Sequence, residues 1–82
     1  MRHYAYEQRA RGVYLFADYR DDIIYIGKAG PNRMVDEVAD AISRKKDKNA
    51  SRVGALYTNS DANALSLERD LIRKYNPPNN EF

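Results

Sequence analysis

A glutamate inside an apolar helical stripe is the feature that most limits what this chain can be. The stretch Asp61-Ala-Asn-Ala-Leu-Ser-Leu-Glu-Arg-Asp-Leu-Ile-Arg-Lys-Tyr75 carries Ala64, Leu65, Leu67, Leu71, Ile72 and Tyr75 at helical spacing. Glu68 falls within that stripe, one turn after Ala64 and one turn before Ile72. A carboxylate on a core-facing stripe is costly to desolvate unless a cation or hydrogen bonds satisfy it. Two readings are open. Glu68 is a buried structural acid paired with an Arg or Lys, or set at the edge of the stripe. Alternatively, it is a metal ligand at the floor of a cleft.

The chain has 82 residues, enough for one small domain with a modest core. Its 43% hydrophobic and 32% charged residues make an ordinary globular balance. No apolar run is long enough to cross a bilayer, and nothing resembles a secretory signal. We therefore expect no membrane partner and a cytoplasmic location. The absence of cysteine excludes disulfides and thiolate metal sites, and fits a reducing compartment. His3 is the one histidine, so zinc chemistry and imidazole base catalysis have little to work with. Any hydrolysis must run on Tyr, Lys, Arg and carboxylates.

The net charge of +2 is small, but the cations cluster in Arg44-Lys45-Lys46-Asp47-Lys48 with Arg52, in Arg9 to Arg11, and in Arg73-Lys74. Such clusters suit a solvated helix end, where cations complement the helix dipole. They also suit phosphate contact. Lys45, Lys46, Lys48 and Arg52 are the candidates for a nucleic-acid backbone.

The chain shows no repeat or linker. Gly12 to Ala17 is β-branched and aromatic and predicts a strand, and Ile23 to Ile26 predicts a second, with the polar turn Asp18 to Asp22 between them. Strands this close in sequence pair most simply as an antiparallel hairpin. Gly30-Pro31-Asn32 breaks the chain and can start a helix, in which Met34, Val38, Ala41 and Ile42 recur at helical spacing to about Arg44. Arg52 to Thr58 predicts a third strand. Asn59-Ser60-Asp61 supplies cap chemistry for the second helix, which Pro77-Pro78 stops. The order ββαβα predicts an α+β domain, a small three-stranded antiparallel sheet flanked by helices, spanning residues 12–80 behind an N-terminal extension at 1–11.

Gly12-Val13-Tyr14 and Tyr25-Ile26-Gly27 place one tyrosine on each strand of the predicted hairpin, and Lys28 comes directly after Gly27. Pairing the strands can bring both phenols to one region. A glycine before the lysine allows close approach of a backbone or phosphate. Taken singly, a tyrosine on a strand is ordinary half-buried packing.

Together these motifs resemble the GIY-YIG nuclease family, over residues 12–80. Gly12-Val-Tyr14 is similar to the first signature, with Val in the middle position, and Tyr25-Ile-Gly27-Lys28 to the second signature with its adjoining lysine. Glu68-Arg-Asp-Leu71-Ile72-Arg-Lys74-Tyr75-Asn-Pro77-Pro-Asn-Asn80 is similar to the family's metal-binding helix and the segment after it, and looks closest to the UvrC-type nuclease module of bacterial excision repair. The resemblance implies a metal-dependent DNA endonuclease in which Glu68 holds a single divalent ion, Mg²⁺ or Mn²⁺, both of which suit a hard carboxylate with waters. The ion would neutralise charge at the scissile phosphate and its leaving oxygen. Tyr14 would be general base or relay, Tyr25 would position water or phosphate, and Lys28 would supply positive charge. Asn80 would orient the C-terminal segment beside the site, with Asn79 a single register step away.

One position departs from the pattern. The family's helix after the second signature carries an arginine that contacts the scissile phosphate. Alignment on Met34, Val38 and Ile42 puts Glu37 there, and counting from Gly27 puts Val35 there. Arg33, one turn before Glu37, is the nearest substitute and is expected to point into the cleft; its competing fate is an ion pair with Glu37. Arg44 is the second candidate. The rival to an enzyme is a binding module on the same fold that keeps the basic surface and lacks turnover. Duplex or branched DNA is the expected partner. Targeting would fall to a partner protein or a homodimer.

Overall fold

The computed structural model describes residues 11–80. Residues 1–10, which hold most of the proposed N-terminal extension, and residues 81–82 lie outside the described part.

The elements run β1 (Arg11–Ala17), β2 (Ile23–Ala29), α1 (Met34–Ser43), β3 (Arg52–Thr58) and α2 (Asp61–Tyr75), and then a short 3₁₀ turn at Pro78–Asn80. The order is the ββαβα read from the sequence. β1 is the central strand of an antiparallel sheet, with β2 on one side and β3 on the other. β2 is longer than expected because Lys28 and Ala29 stay paired, opposite Val13 and Gly12.

The hairpin turn is built by Asp18. Its carboxylate accepts from the backbone N–H of Arg20 at 2.9 Å and of Asp22 at 3.0 Å, the local bonding that makes Asp a turn former. α1 starts after the Gly30-Pro31-Asn32 turn and ends in a Schellman arrangement: Lys46 N–H donates to Ala41 O and Lys45 N–H to Ile42 O, with Lys45 left-handed at φ 65°. α2 is capped by the Ser60 hydroxyl, which accepts from Asn63 N–H at 3.0 Å. Left-handed Asn76 ends it before Pro77.

Alternation along the strands assigns the two faces. Tyr14, Phe16, Tyr25, Val53 and Ala55 share the face covered by α1, where Tyr14, Phe16, Ile24, Tyr25 and Ala41 form a buried cluster joined by Met34, Val38 and Ala50. Val13, Leu15, Ile26, Lys28 and Leu56 share the opposite face. Of the expected α2 stripe, Ala64 is buried, and Leu67, Glu68, Leu71 and Ile72 are half-buried. Leu65 and Tyr75 are a correction: both are exposed, because they sit at the flanks of a stripe narrower than the sequence pattern allowed.

Candidate active site

The two signature glycines are explained by contact. Tyr14 and Gly27 are cross-strand partners, and a Cβ at Gly27 would overlap Cζ and Oη of Tyr14. The phenol of Tyr14 therefore crosses the strand where only a glycine leaves room. At Gly12 a Cβ would meet the backbone of Leu56 and Tyr57 on β3, so that glycine lets the two strands close up. The Tyr14 and Tyr25 rings are 6.0 Å apart, and Phe16 stacks on Tyr25 at 5.8 Å. The hairpin thus brings the phenols together.

Burial pushes the Tyr14 phenol well above its ordinary pKa, and the neighbouring Tyr25 phenol and the Glu37 carboxylate push it further; Arg44 partly opposes them. In the free protein Tyr14 is a proton donor, and work as a base requires added positive charge beside it. Arg44, at the C-terminal end of α1, is the cation that Tyr14 feels. The nearby Tyr25 hydroxyl and then Asp40 push its guanidinium up, and the Asp40 carboxylate accepts from Nε at 3.0 Å. Lys46 adds a second charge, 5.9 Å from the centre of the Tyr25 ring.

Arg33 lies elsewhere. Its guanidinium contacts Asp36 at 3.3 Å and Glu37 at 3.6 Å on its own helix, and its side chain is 56% exposed. The expectation that it points into the cleft gives way to the competing one, since two carboxylates one turn away on the same helix hold it.

Glu68 is half-buried on α2 and makes no ion pair or hydrogen bond among the described residues. Burial pushes its carboxyl up, while Lys28 and Arg69 pull it down. Lys28 shares its sheet face with Val13, opposite the face of the phenols. No group of three or more His, Cys, Asp or Glu capable of holding a metal occurs among the described residues. A lone carboxylate in a desolvated setting fits an ion that keeps most of its waters, as Mg²⁺ does.

Asn80 lies against β2 rather than among the reacting groups. Its Oδ1 accepts from Ile26 N–H and its Nδ2 donates to Ile26 O, both at 2.8 Å. The amide thereby imitates a neighbouring strand on the free edge of β2. Asn79 has a separate role that the sequence pattern does not signal. It donates to the carbonyls of Lys46 and Lys48 at 2.9 and 3.0 Å and pins the basic loop. In that loop Lys45 and Lys48 are exposed and Lys46 half-buried, while Arg52 is paired with Asp21.

A three-stranded antiparallel sheet with paired strand tyrosines, glycine-enforced contacts and a helix-borne carboxylate defines the GIY-YIG class of domains. Within it, the chain belongs to the UvrC-like GIY-YIG domain family, whose model matches residues 10–81. It is 37% identical over 76 residues to UvrABC system protein C of Novosphingobium aromaticivorans, covering 84% of this chain and 11% of that protein. It is 38% identical over 79 residues to the same protein of Haloarcula marismortui, covering 88% and 14%. The chain thus spans a small part of the length of these curated relatives. Among solved structures it resembles the GIY-YIG N-terminal endonuclease domain of UvrC from Thermotoga maritima bound to its catalytic divalent cation, magnesium, with a TM-score of 0.73 and 27% identity over 90% of this chain and 86% of that one. No described helix is long and apolar enough to cross a membrane.

Proposed function

We propose that this domain is a metal-dependent DNA endonuclease that hydrolyses phosphodiester bonds with one divalent ion held by Glu68. The observation that carries the reading is Glu68 itself. A half-buried carboxylate with raised pKa and no ion-pair partner among the described residues has its burial only partly offset by the charges of Lys28 and Arg69, and a bound cation would complete the compensation. The related Thermotoga domain is crystallised with its catalytic magnesium.

The geometry supports a role for each residue. Glu68 holds Mg²⁺ or Mn²⁺, which when bound supplies charge neutralisation at the phosphate. Lys28, near Glu68, contacts a non-bridging phosphate oxygen. Tyr14 holds or passes the proton of the attacking water, and Tyr25 orients that water or the phosphate through its hydroxyl. Arg44 stands ahead of Arg33 as the phosphate-stabilising guanidinium because its charge acts on the Tyr14 and Tyr25 phenols, although Asp40 holds its Nε at 3.0 Å. Asn80 fixes β2 between Tyr25 and Gly27. Lys45, Lys46 and Lys48 meet the nucleic-acid backbone, with Arg52 joining them if it leaves Asp21. The substrate is duplex or branched DNA in a repair setting, within a longer protein or with a targeting partner.

One observation favours the rival reading of a binding module without turnover: Glu37, one of the two positions that align with the family's arginine, places negative charge near Tyr14. A single experiment separates the two. Glu68→Gln keeps shape and removes charge, so folding should persist while Mn²⁺ binding and cleavage of duplex, nicked, flap and branched DNA are lost. Cleavage by Glu68→Gln at the parent rate and metal requirement would overturn the assignment. A parent protein that binds DNA, ignores Mn²⁺ and cuts nothing would establish the rival.

A further inference from the structure

The two edges of the sheet are treated differently. At β2, the Asn80 amide occupies the outward backbone groups of Ile26. At β3, no described residue bonds to the outer edge. Within its own length β3 also lacks several devices that protect an edge strand. It has no proline and no bulge, and no charged residue lies between Arg52 and Asp61.

Asn80 also fixes the phase of β3. Ile26 turns its N–H and C=O outward, so its partner Leu15 turns its own toward β3, where it faces Gly54. Gly54 is therefore bonded inward, and Val53, Ala55 and Tyr57 present their N–H and C=O groups to the open edge. Their side chains share the α1 face. Val53 is 59% and Tyr57 60% exposed.

We propose that β3 is a self-association edge, pairing antiparallel with β3 of a second copy about a twofold axis through Ala55. In that register Val53 faces Tyr57 of the second copy and Tyr57 faces its Val53, a β-branched and aromatic pair repeated by symmetry. On the other face Leu56, 44% exposed, lies over Gly54 of the second copy. Arg52, which pairs with Asp21 in its own copy, runs toward the end that carries Asp61 of the second copy, an acid that Arg11 of the same copy meets at 3.8 Å. A parallel pairing would place like ends together. The patch continues beyond the strand. Val53 and Ala55 line a groove of about 270 Å³ with Met34, Val38 and Val35, the last 80% exposed, and Tyr57 of the second copy is set beside it. One strand pair and two such contacts fall at the small end of specific interfaces, so the dimer is a weak one that forms at raised protein concentration. The proposal does not depend on the nuclease reading.

Sedimentation equilibrium of the chain across the micromolar range tests it. The mass should climb toward twice that of the monomer. Val53→Lys with Tyr57→Lys places like charges opposite each other and should weaken association at least tenfold, with the circular dichroism spectrum unchanged. Ala55→Cys faces itself at the axis of a protein that has no cysteine of its own, and mild oxidation should give a disulfide-linked dimer. Ala62→Cys, exposed on α2, is the control and should stay monomeric. If the lysine variant fails to fold, the cysteine pair decides alone. A parent that stays monomeric to several hundred micromolar overturns the proposal. So does a dimer indifferent to the lysines, or Ala55→Cys linking no faster than Ala62→Cys.

Discussion

Removing the Asn80 amide should loosen β2 at Ile26, and the size of the effect can be worked out. Asn80→Ala deletes two neutral hydrogen bonds of 2.8 Å, to the N–H and the C=O of one residue. At a net value of about 1 kcal/mol each, the loss is about 2 kcal/mol. For a domain of this size that lowers Tm by about 10 °C. Asn80→Asp is the sharper test. It keeps an acceptor for Ile26 N–H but sets a carboxylate oxygen against Ile26 O. The cost at neutral pH should exceed that of alanine, at about 3 kcal/mol.

The aspartate variant also carries a pH signature. Once protonated, the introduced carboxyl donates to Ile26 O and restores the lost bond. Its folded-state pKa is thus raised above the ordinary aspartate value. A raised carboxyl contributes stability that is fully present below the unfolded pKa and lost as pH rises through the folded one. Relative to the parent at each pH, Asn80→Asp should therefore recover on acidification, while Asn80→Ala should keep a constant deficit. Urea unfolding at pH 7 and pH 4, with hydrogen exchange at the Ile26 amide, reads both. The reasoning fails if Asn80→Ala unfolds within about 0.5 kcal/mol of the parent with Ile26 equally protected. It also fails if the Asn80→Asp deficit is the same at both pH values. Because Tyr25 and Gly27 flank Ile26, cleavage should fall in both variants while metal affinity at Glu68 persists.

Gly27→Ala should displace the Tyr14 phenol, with a destabilisation of about 1–3 kcal/mol for overpacking and a perturbed Tyr14 ring signal in NMR; an unmoved ring would contradict the contact described. Divalent-ion affinity should fall with acidification, because protons compete for Glu68. The loss should begin above the ordinary glutamate range, since burial raises this carboxyl, and Mn²⁺ titration at a series of pH values would show it. Arg44→Ala should slow cleavage by roughly 10²-fold, the scale of losing one charge-stabilising donor, whereas Arg33→Ala should be nearly silent; single-turnover kinetics on one DNA substrate rank them, and the reverse order would return the role to Arg33.

The fold was legible because its signals are local. Val and aromatic runs, the Asp18 turn and the Ser60 cap each act within a few residues, and β3 and α2 fall where the pattern places them. The meeting of Tyr14 and Tyr25 was legible too, since a hairpin register fixes it. The features that were not legible depend on distant contacts. Asn80 reaches Ile26 across 54 positions, and Asn79 reaches Lys46 across 33. How Arg33 and Arg44 stand to the phenols also depends on how α1 is laid across the sheet, with Met34 and Val38 packed against the Tyr14 cluster and Arg44 capping the other end. Helical periodicity gives the face of a helix and says nothing about its ends.

The alternation that separates the site residues also limits where a substrate can sit. Tyr14 and Tyr25 project to the α1 face, while Lys28 projects to the opposite face, where its charge reaches Glu68. In the nuclease reading one phosphate must touch both sets, so it cannot lie on either face of the sheet. It must pass around β2. The free edge of β2 is closed at Ile26 by the Asn80 amide. The passage left is the C-terminal end of the strand, from Gly27 to Ala29, just before the turn at Gly30-Pro31-Asn32. There the missing Cβ of Gly27 lets the Tyr14 phenol lie across β2 on the α1 face. In this reading the glycine shapes the cleft as well as the packing, because it brings the phenol onto the edge strand around which the phosphate must pass.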